Sequence, residues 1–210
     1  MERAELISEA SRIPELEYSF RHDLTREAAY ASILIRQRRE FHRGVGEAVE
    51  NLFTGRLEEQ AHRLAHHFCE AGDDQRALKY SMMAGDSAAA MYAHQEANEH
   101  YTKALELIGR VDSADEQVIA VYKARGRTLE LCGEFEQGLS NYRQLRELGQ
   151  ARGNRVLALA ALIPQATVYS TSNSMFDGEK GSELSGKGLE LGDHGAESSI
   201  LWNLMLLGYY

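Results

Sequence analysis

From Asp23 onward the apolar residues recur every three or four positions, the period of an α-helix, whereas the first 22 residues follow no such rhythm. Within that opening stretch Glu17–Phe20 alternates, with Tyr18 and Phe20 on one side and Ser19 and Arg21 on the other. Glu5–Ser8 is a short partner, and Ile13-Pro14 lies between them, so residues 1–22 are expected to form a small β-hairpin. Asp23 is predicted to cap a helix running from Leu24 to about Ile33. A stripe of Phe41, Val45, Ala48, Val49 and Leu52 predicts the next helix, ended by Gly55. Leu57, Ala61, Leu64, Ala65 and Phe68 predict another, ended by Gly72. Further helices are expected at about 74–92, 94–108, 115–132, 134–150, 154–171, 177–191 and 196–210, joined by short links that suit antiparallel neighbours. Pro164 should kink or split the helix 154–171.

The helices repeat. Tyr122, Gly126, Leu129, Gly133, Gly138, Tyr142 and Leu145 are separated by 4, 3, 4, 5, 4 and 3 residues. Ala61, Ala65, Phe68, Gly72, Ala77, Ser81 and Ala84 have the same spacings, as do Ser81, Gly85, Ala88, Tyr92, Ala97, Tyr101 and Ala104. Small residues at these offsets let two antiparallel helices approach, and large ones fill the space between them. The pattern resembles the tetratricopeptide (TPR) signature. The expected fold is therefore all-α, a TPR-like solenoid of antiparallel helix pairs wound as a right-handed superhelix, with the hairpin-like segment at its N-terminus. A weaker pair follows, in which Leu162, Ala166 and Tyr169 fit the first helix while Gly181 and Gly188 stand where alanine is usual.

A second resemblance covers residues 1 to about 108. Tyr18-Ser-Phe20-Arg21-His22-Asp-Leu24-Thr-Arg26-Glu27-Ala-Ala29-Tyr30 is similar to the segment that follows the nucleotide-binding core of STAND-class signalling ATPases. Arg38-Arg39-Glu-Phe-His42, Leu64-Ala65-His66-His67-Phe68 and Ala84-Gly85-Asp86 continue it. Those large bacterial proteins often carry an adenylate or guanylate cyclase or a LuxR-type DNA-binding domain. The resemblance implies that residues 1–22 are the remnant of a winged-helix segment, and that 23–210 is a TPR-like domain truncated at its C-terminus. Neither a Walker A loop nor cyclase residues occur, so the family's enzymatic activities do not transfer to this chain.

Composition narrows the partners. The 210 residues carry a formal charge of −9, with 26% charged and 43% hydrophobic residues. Duplex nucleic acid requires a concentrated basic surface, and the densest basic run, Arg36 to Arg39, reads as a solvated helix face, so no nucleic-acid binding by this chain alone is expected. Cys69 and Cys132 form no paired motif, no signal peptide opens the chain, and the longest apolar run, Ile200–Leu207, is too short to span a bilayer. A cytoplasmic location and no membrane association are expected. With no further helix after Tyr210 to cover it, that apolar run is expected to self-associate, forming a homodimer through 196–210.

No catalytic centre is visible. GxSxG is missing, neither cysteine neighbours a motif that would activate it, and Gly178, Gly181, Gly186 and Gly188 do not follow a strand, so they form no phosphate cradle. His62 and His66 have the i,i+4 spacing of metal ligands, but the sequence supplies no third ligand and no HExxH, so neither cofactor nor metal is called for. The first helix of each TPR pair lines the inner face. By those offsets a partner-binding groove would present Glu59, His62, His66 and Glu70 in one repeat, and Lys123, Arg127 and Glu130 in a later one. The chain is thus expected to be a non-enzymatic scaffold that binds a protein or peptide surface, which could include other domains of its parent. The alternative is a ligand-binding sensor domain of a transcription regulator.

Overall fold

The computed structural model describes residues 6–11 and 17–191, together with positions 202 and 205. Two strands, β1 (Ile7–Ser11) and β2 (Glu17–Phe20), pair antiparallel, with Ile7 opposite Phe20 and Ser8 opposite Ser19. The helices follow: α1 (Asp23–Ser32), α2 (Ile35–Leu52), a 3-10 turn (Leu57–Gln60), α3 (Ala61–Ala71), α4 (Asp74–Ala90), α5 (His94–Ile108), α6 (Asp115–Leu131), α7 (Phe135–Ala151), α8 (Arg155–Ser170) and α9 (Gly178–Leu191). From α2 to α9 each helix packs on the next. In addition α4 touches α6 and α6 touches α8, so the even-numbered helices form one layer and the odd-numbered ones the other. This is an all-α helical-repeat fold with a two-stranded N-terminal sheet.

The links are built alike. Gly72 and Gly133 sit in the left-handed region at φ 72° and 77°, and the residue after each donates back to the carbonyl five positions earlier, Asp73 to Phe68 and Glu134 to Leu129. Such closures satisfy carbonyls the helix end leaves open. Tyr92 takes the same place after α4 at φ 61°, and Ala93 N–H reaches Ala88 in the same way. A side chain there costs on the order of 1 kcal/mol that glycine would not. The fall of Tyr92 at the glycine offset of its repeat explains its unusual backbone.

Large residues of successive helices form one continuous core: Val49, Leu64, Phe68, Leu78, Tyr80, Leu107, Val118, Val121, Leu145 and Leu157. Leu162, Ala166 and Leu184 form a smaller cluster between α8 and α9, with Gly181 and Gly188 buried in that contact.

Four local expectations change. Asp23 is the first residue of α1 rather than its cap; the cap position is His22, and Asp23 pairs with Arg26 at 3.3 Å. Helix α2 ends at Leu52, three residues before Gly55, and only Val49 of its predicted stripe is buried. Phe41 is 62% exposed and Leu52 78%, with Val45 and Ala48 also outward. The face that meets α3 instead carries Gly46 and Val49. Against Gly46 lies Phe68, so close that an added Cβ would stand 2.9 Å from its ring. Pro164 does not split α8, which runs unbroken from Arg155 to Ser170. Proline forfeits one backbone bond there, but Leu157, Ala161, Leu162, Ala166 and Val168 are buried on both sides of it and hold the helix together. Segment 196–210, and with it the expected homodimer contact, lies outside the described residues apart from the helical positions Trp202 and Met205.

Candidate functional site

The surface over α4 is shaped by small residues. Gly85 lies beneath Tyr101 of α5, where an added Cβ would meet the ring at 2.6 Å, and Ala84 and Ala88 leave a shallow floor between α3 and α5. Onto that floor opens a hollow of about 370 Å³, walled by Glu58 and Glu59 of the 3-10 turn, His62 of α3, and Met91, Glu96 and His100. A neighbouring hollow of about 450 Å³ shares Glu58, Ser87 and Ala90 with it and adds Lys79, Met82, Met83, Asp86 and Gln117. Together they make one trough. Its walls hold the carboxylates of Glu58, Glu59, Asp86 and Glu96 and the ammonium of Lys79; Glu59 also pairs with Arg56 at 3.8 Å and Asp86 accepts the Tyr101 hydroxyl at 2.7 Å, and the floor is alanine and methionine.

The sequence-derived groove residues divide between the layers. His62, His66 and Glu70 follow one another along α3, lining a hollow of about 280 Å³ with Cys69, Ser81, His100 and Lys103. Glu59 and His62 join them to the acidic trough. Lys123, Arg127 and Glu130 are elsewhere, on α6 in the even layer, and do not meet the α3 set. Lys123 is exposed, but Arg127 pairs with Glu130 at 3.0 Å and Glu130 accepts the Tyr142 hydroxyl at 2.7 Å. Burial, and then the Glu130 carboxylate, raise the Tyr142 phenol far above its ordinary pKa, so it stays a donor. Glu130 is occupied inside the array.

A third feature, a histidine cluster, joins α2 to α3. His42 of α2 and His66 and His67 of α3 present ring nitrogens that all lie within 4.8 Å of one another. His42 Nδ1 and His67 Nδ1 are 2.9 Å apart, and His42 Nε2 is 2.9 Å from the Tyr30 hydroxyl. Both His42 and His67 are held below the ordinary imidazole pKa. Burial is the main cause for each. For His42 the next is His66, with Arg38 adding to it and Glu70 opposing; for His67 they are His42, His66 and Arg63. They are therefore neutral at pH 7, each with one N–H and one lone pair. Sequence spacing found only the pair His62–His66. His42 escaped because nothing in the apolar pattern of α2 turns its polar side toward α3.

No protein-family model matches the chain, and no curated protein does. Among solved structures, BtubC (BKLC) from P. vanneervenii is similar, with a TM-score of 0.51 at 16% identity over 90% of this chain and 83% of that one. At that identity the likeness concerns the fold alone.

Proposed function

We propose that the array is a protein-interaction scaffold whose acidic trough holds a basic segment with at least one apolar anchor, and that it serves as the sensor part of a larger signalling ATPase. The observation that supports it most directly is the trough itself, with four carboxylates over a floor of Ala84, Ala88, Met82 and Met83 and with Met91 in its wall. Methionine side chains repack around varied apolar groups, and carboxylates at the rim favour Lys and Arg on the incoming chain. The residues similar to those of STAND-class proteins, Tyr18 to Tyr30 and the stretches after it, support the link to a signalling parent, cyclase- or transcription-linked.

Random-peptide display against the purified chain should return sequences rich in Lys and Arg around an apolar residue. Their affinity should fall at least tenfold, on the order of what losing several rim charges does, in the triple variant Glu58→Lys, Glu59→Lys, Glu96→Lys, and should weaken with salt. Lys123→Glu, on the other layer, should leave binding unchanged. Peptides without basic bias that bind the triple variant as well as the parent would refute the trough, and loss of binding in Lys123→Glu would return the site to α6.

A further inference from the structure

We propose that His42, His66 and His67 form a site for a divalent transition-metal ion of the zinc type, clamping α2 to α3 independently of what the trough binds. Three imidazoles from two helices converge on one point, with their nitrogens within 4.8 Å of one another. A tetrahedral zinc ion with Zn–N bonds of about 2.0–2.1 Å needs its ligand nitrogens roughly 3.3 Å apart. The His42–His67 pair, at 2.9 Å, is slightly closer than that. His66 is exposed, so its ring can rotate to complete the set without disturbing the core.

The hydrogen bonding supports the same arrangement. Two Nδ1 atoms facing each other at 2.9 Å share one proton. Shifting it to Nε2 of the same ring leaves both lone pairs aimed at the space between, with no net proton released. On the far side of His42 the Tyr30 hydroxyl lies 2.9 Å from Nε2, placed to accept from Nε2–H when Nδ1 is the ligating atom. Metal-bound histidines are usually held by such an outer hydrogen bond. An all-nitrogen set suits Zn²⁺, Co²⁺, Ni²⁺ or Cu²⁺ rather than Mg²⁺ or Ca²⁺, which require oxygen. Arg38 and Arg63 oppose a dication here and Glu70 favours it. The fourth position would hold water. His62, four residues from His66, is not in the cluster.

Titration of the full chain with Co²⁺, followed by its visible absorption, tests this directly. One equivalent should give the intense bands of four-coordinate cobalt, abolished by excess zinc. In the zinc-loaded protein, imidazole nitrogen shifts should move for His42, His66 and His67 and stay put for His62 and His100, a readout that needs no variant. His42→Ala and His67→Ala should lose the bands, His62→Ala should keep them, and Tyr30→Phe should weaken binding roughly tenfold. Absence of cobalt bands overturns the site. So does binding lost in His62→Ala but kept in His42→Ala, which would put the ion on the exposed His62–His66 pair of α3.

Discussion

Gly126→Ala should destabilise the array by about 1–3 kcal/mol, although the same exchange in an open helix stabilises by roughly 0.5–1 kcal/mol. The difference lies above Gly126. Tyr142 of α7 crosses directly over it, 2% exposed, and a methyl group on Gly126 would overlap the ring and hydroxyl of that side chain. The ring cannot swing away freely. Its hydroxyl is tied to Glu130 at 2.7 Å, and the surrounding core leaves it no room. Either α6 and α7 separate, exposing apolar surface, or Tyr142 gives up its hydrogen bond inside the protein. Gly85→Ala should behave likewise, since Tyr101 covers it and donates to Asp86 at 2.7 Å. Gly44 lies on the outer side of α2 with nothing within 4 Å of an added Cβ, so Gly44→Ala should raise stability. Urea unfolding of the three variants decides it. A Gly126→Ala protein as stable as its parent would mean that the Tyr142–Gly126 contact does not hold α6 to α7.

That contact also shows what was legible in the sequence. Gly126 and Tyr142 stand 16 residues apart, as do Gly85 and Tyr101, and this pairing of a small residue with a large one is what the repeat spacing expresses. The helices from α3 to α9 were accessible for that reason, with most ends marked by Gly, Asp or Asn. Helix α2 was misread because hydrophobic periodicity assumes that apolar residues face the neighbour. Its inner face is made of Gly46, Val49, His42 and Glu50, chosen for closeness and hydrogen bonding, while Phe41, Val45, Ala48 and Leu52 look outward. The histidine cluster was hidden by the same inversion. Helical offset places His62, His66 and Glu70 on one hollow of α3, but it also puts Lys123, Arg127 and Glu130 on the same face although α3 and α6 belong to different layers. Assigning α3 and α6 both as first helices of a pair conflicts with an alternation in which α4, α6 and α8 touch one another.

Arg76→Ala should cost about 1–2 kcal/mol at neutral pH and flatten the acid limb of the stability curve. Asp73 caps α4, accepting the Arg76 backbone N–H at 3.1 Å and its Nε at 2.8 Å. The other guanidinium nitrogens reach Glu50 and Glu47 of α2, each at 3.2 Å, and the group lies 4.1 Å from the centre of the Phe68 ring. One side chain therefore joins α2, α3 and α4. Without it Glu47, Glu50 and Asp73 lose the cation they share, Arg43 alone still acts on Asp73, and the Glu50 carboxylate keeps the Tyr80 hydroxyl. The cost stays below the roughly 3–5 kcal/mol of breaking a fully buried pair, because the Arg76 side chain is 30% exposed and water screens the carboxylates left behind. The pH effect follows from Asp73. Burial alone would raise its pKa, but the bonds from the Arg76 backbone and guanidinium outweigh burial and hold it below the ordinary value. A depressed carboxylate contributes stability above its unfolded pKa of about 4, and that contribution disappears as the pH falls through the lower folded value. The variant keeps the backbone bond from residue 76 but not the guanidinium, so it should lose less stability than the parent as the pH falls below about 4. Arg76→Lys should fall between the two, since it keeps the charge but not the planar fork that reaches three carboxylates at once. Urea midpoints at pH 7, 4 and 3 measure both effects, and an Arg76→Ala protein that matches the parent at neutral pH, or declines as steeply in acid, would show that the network does not hold α2 against α4.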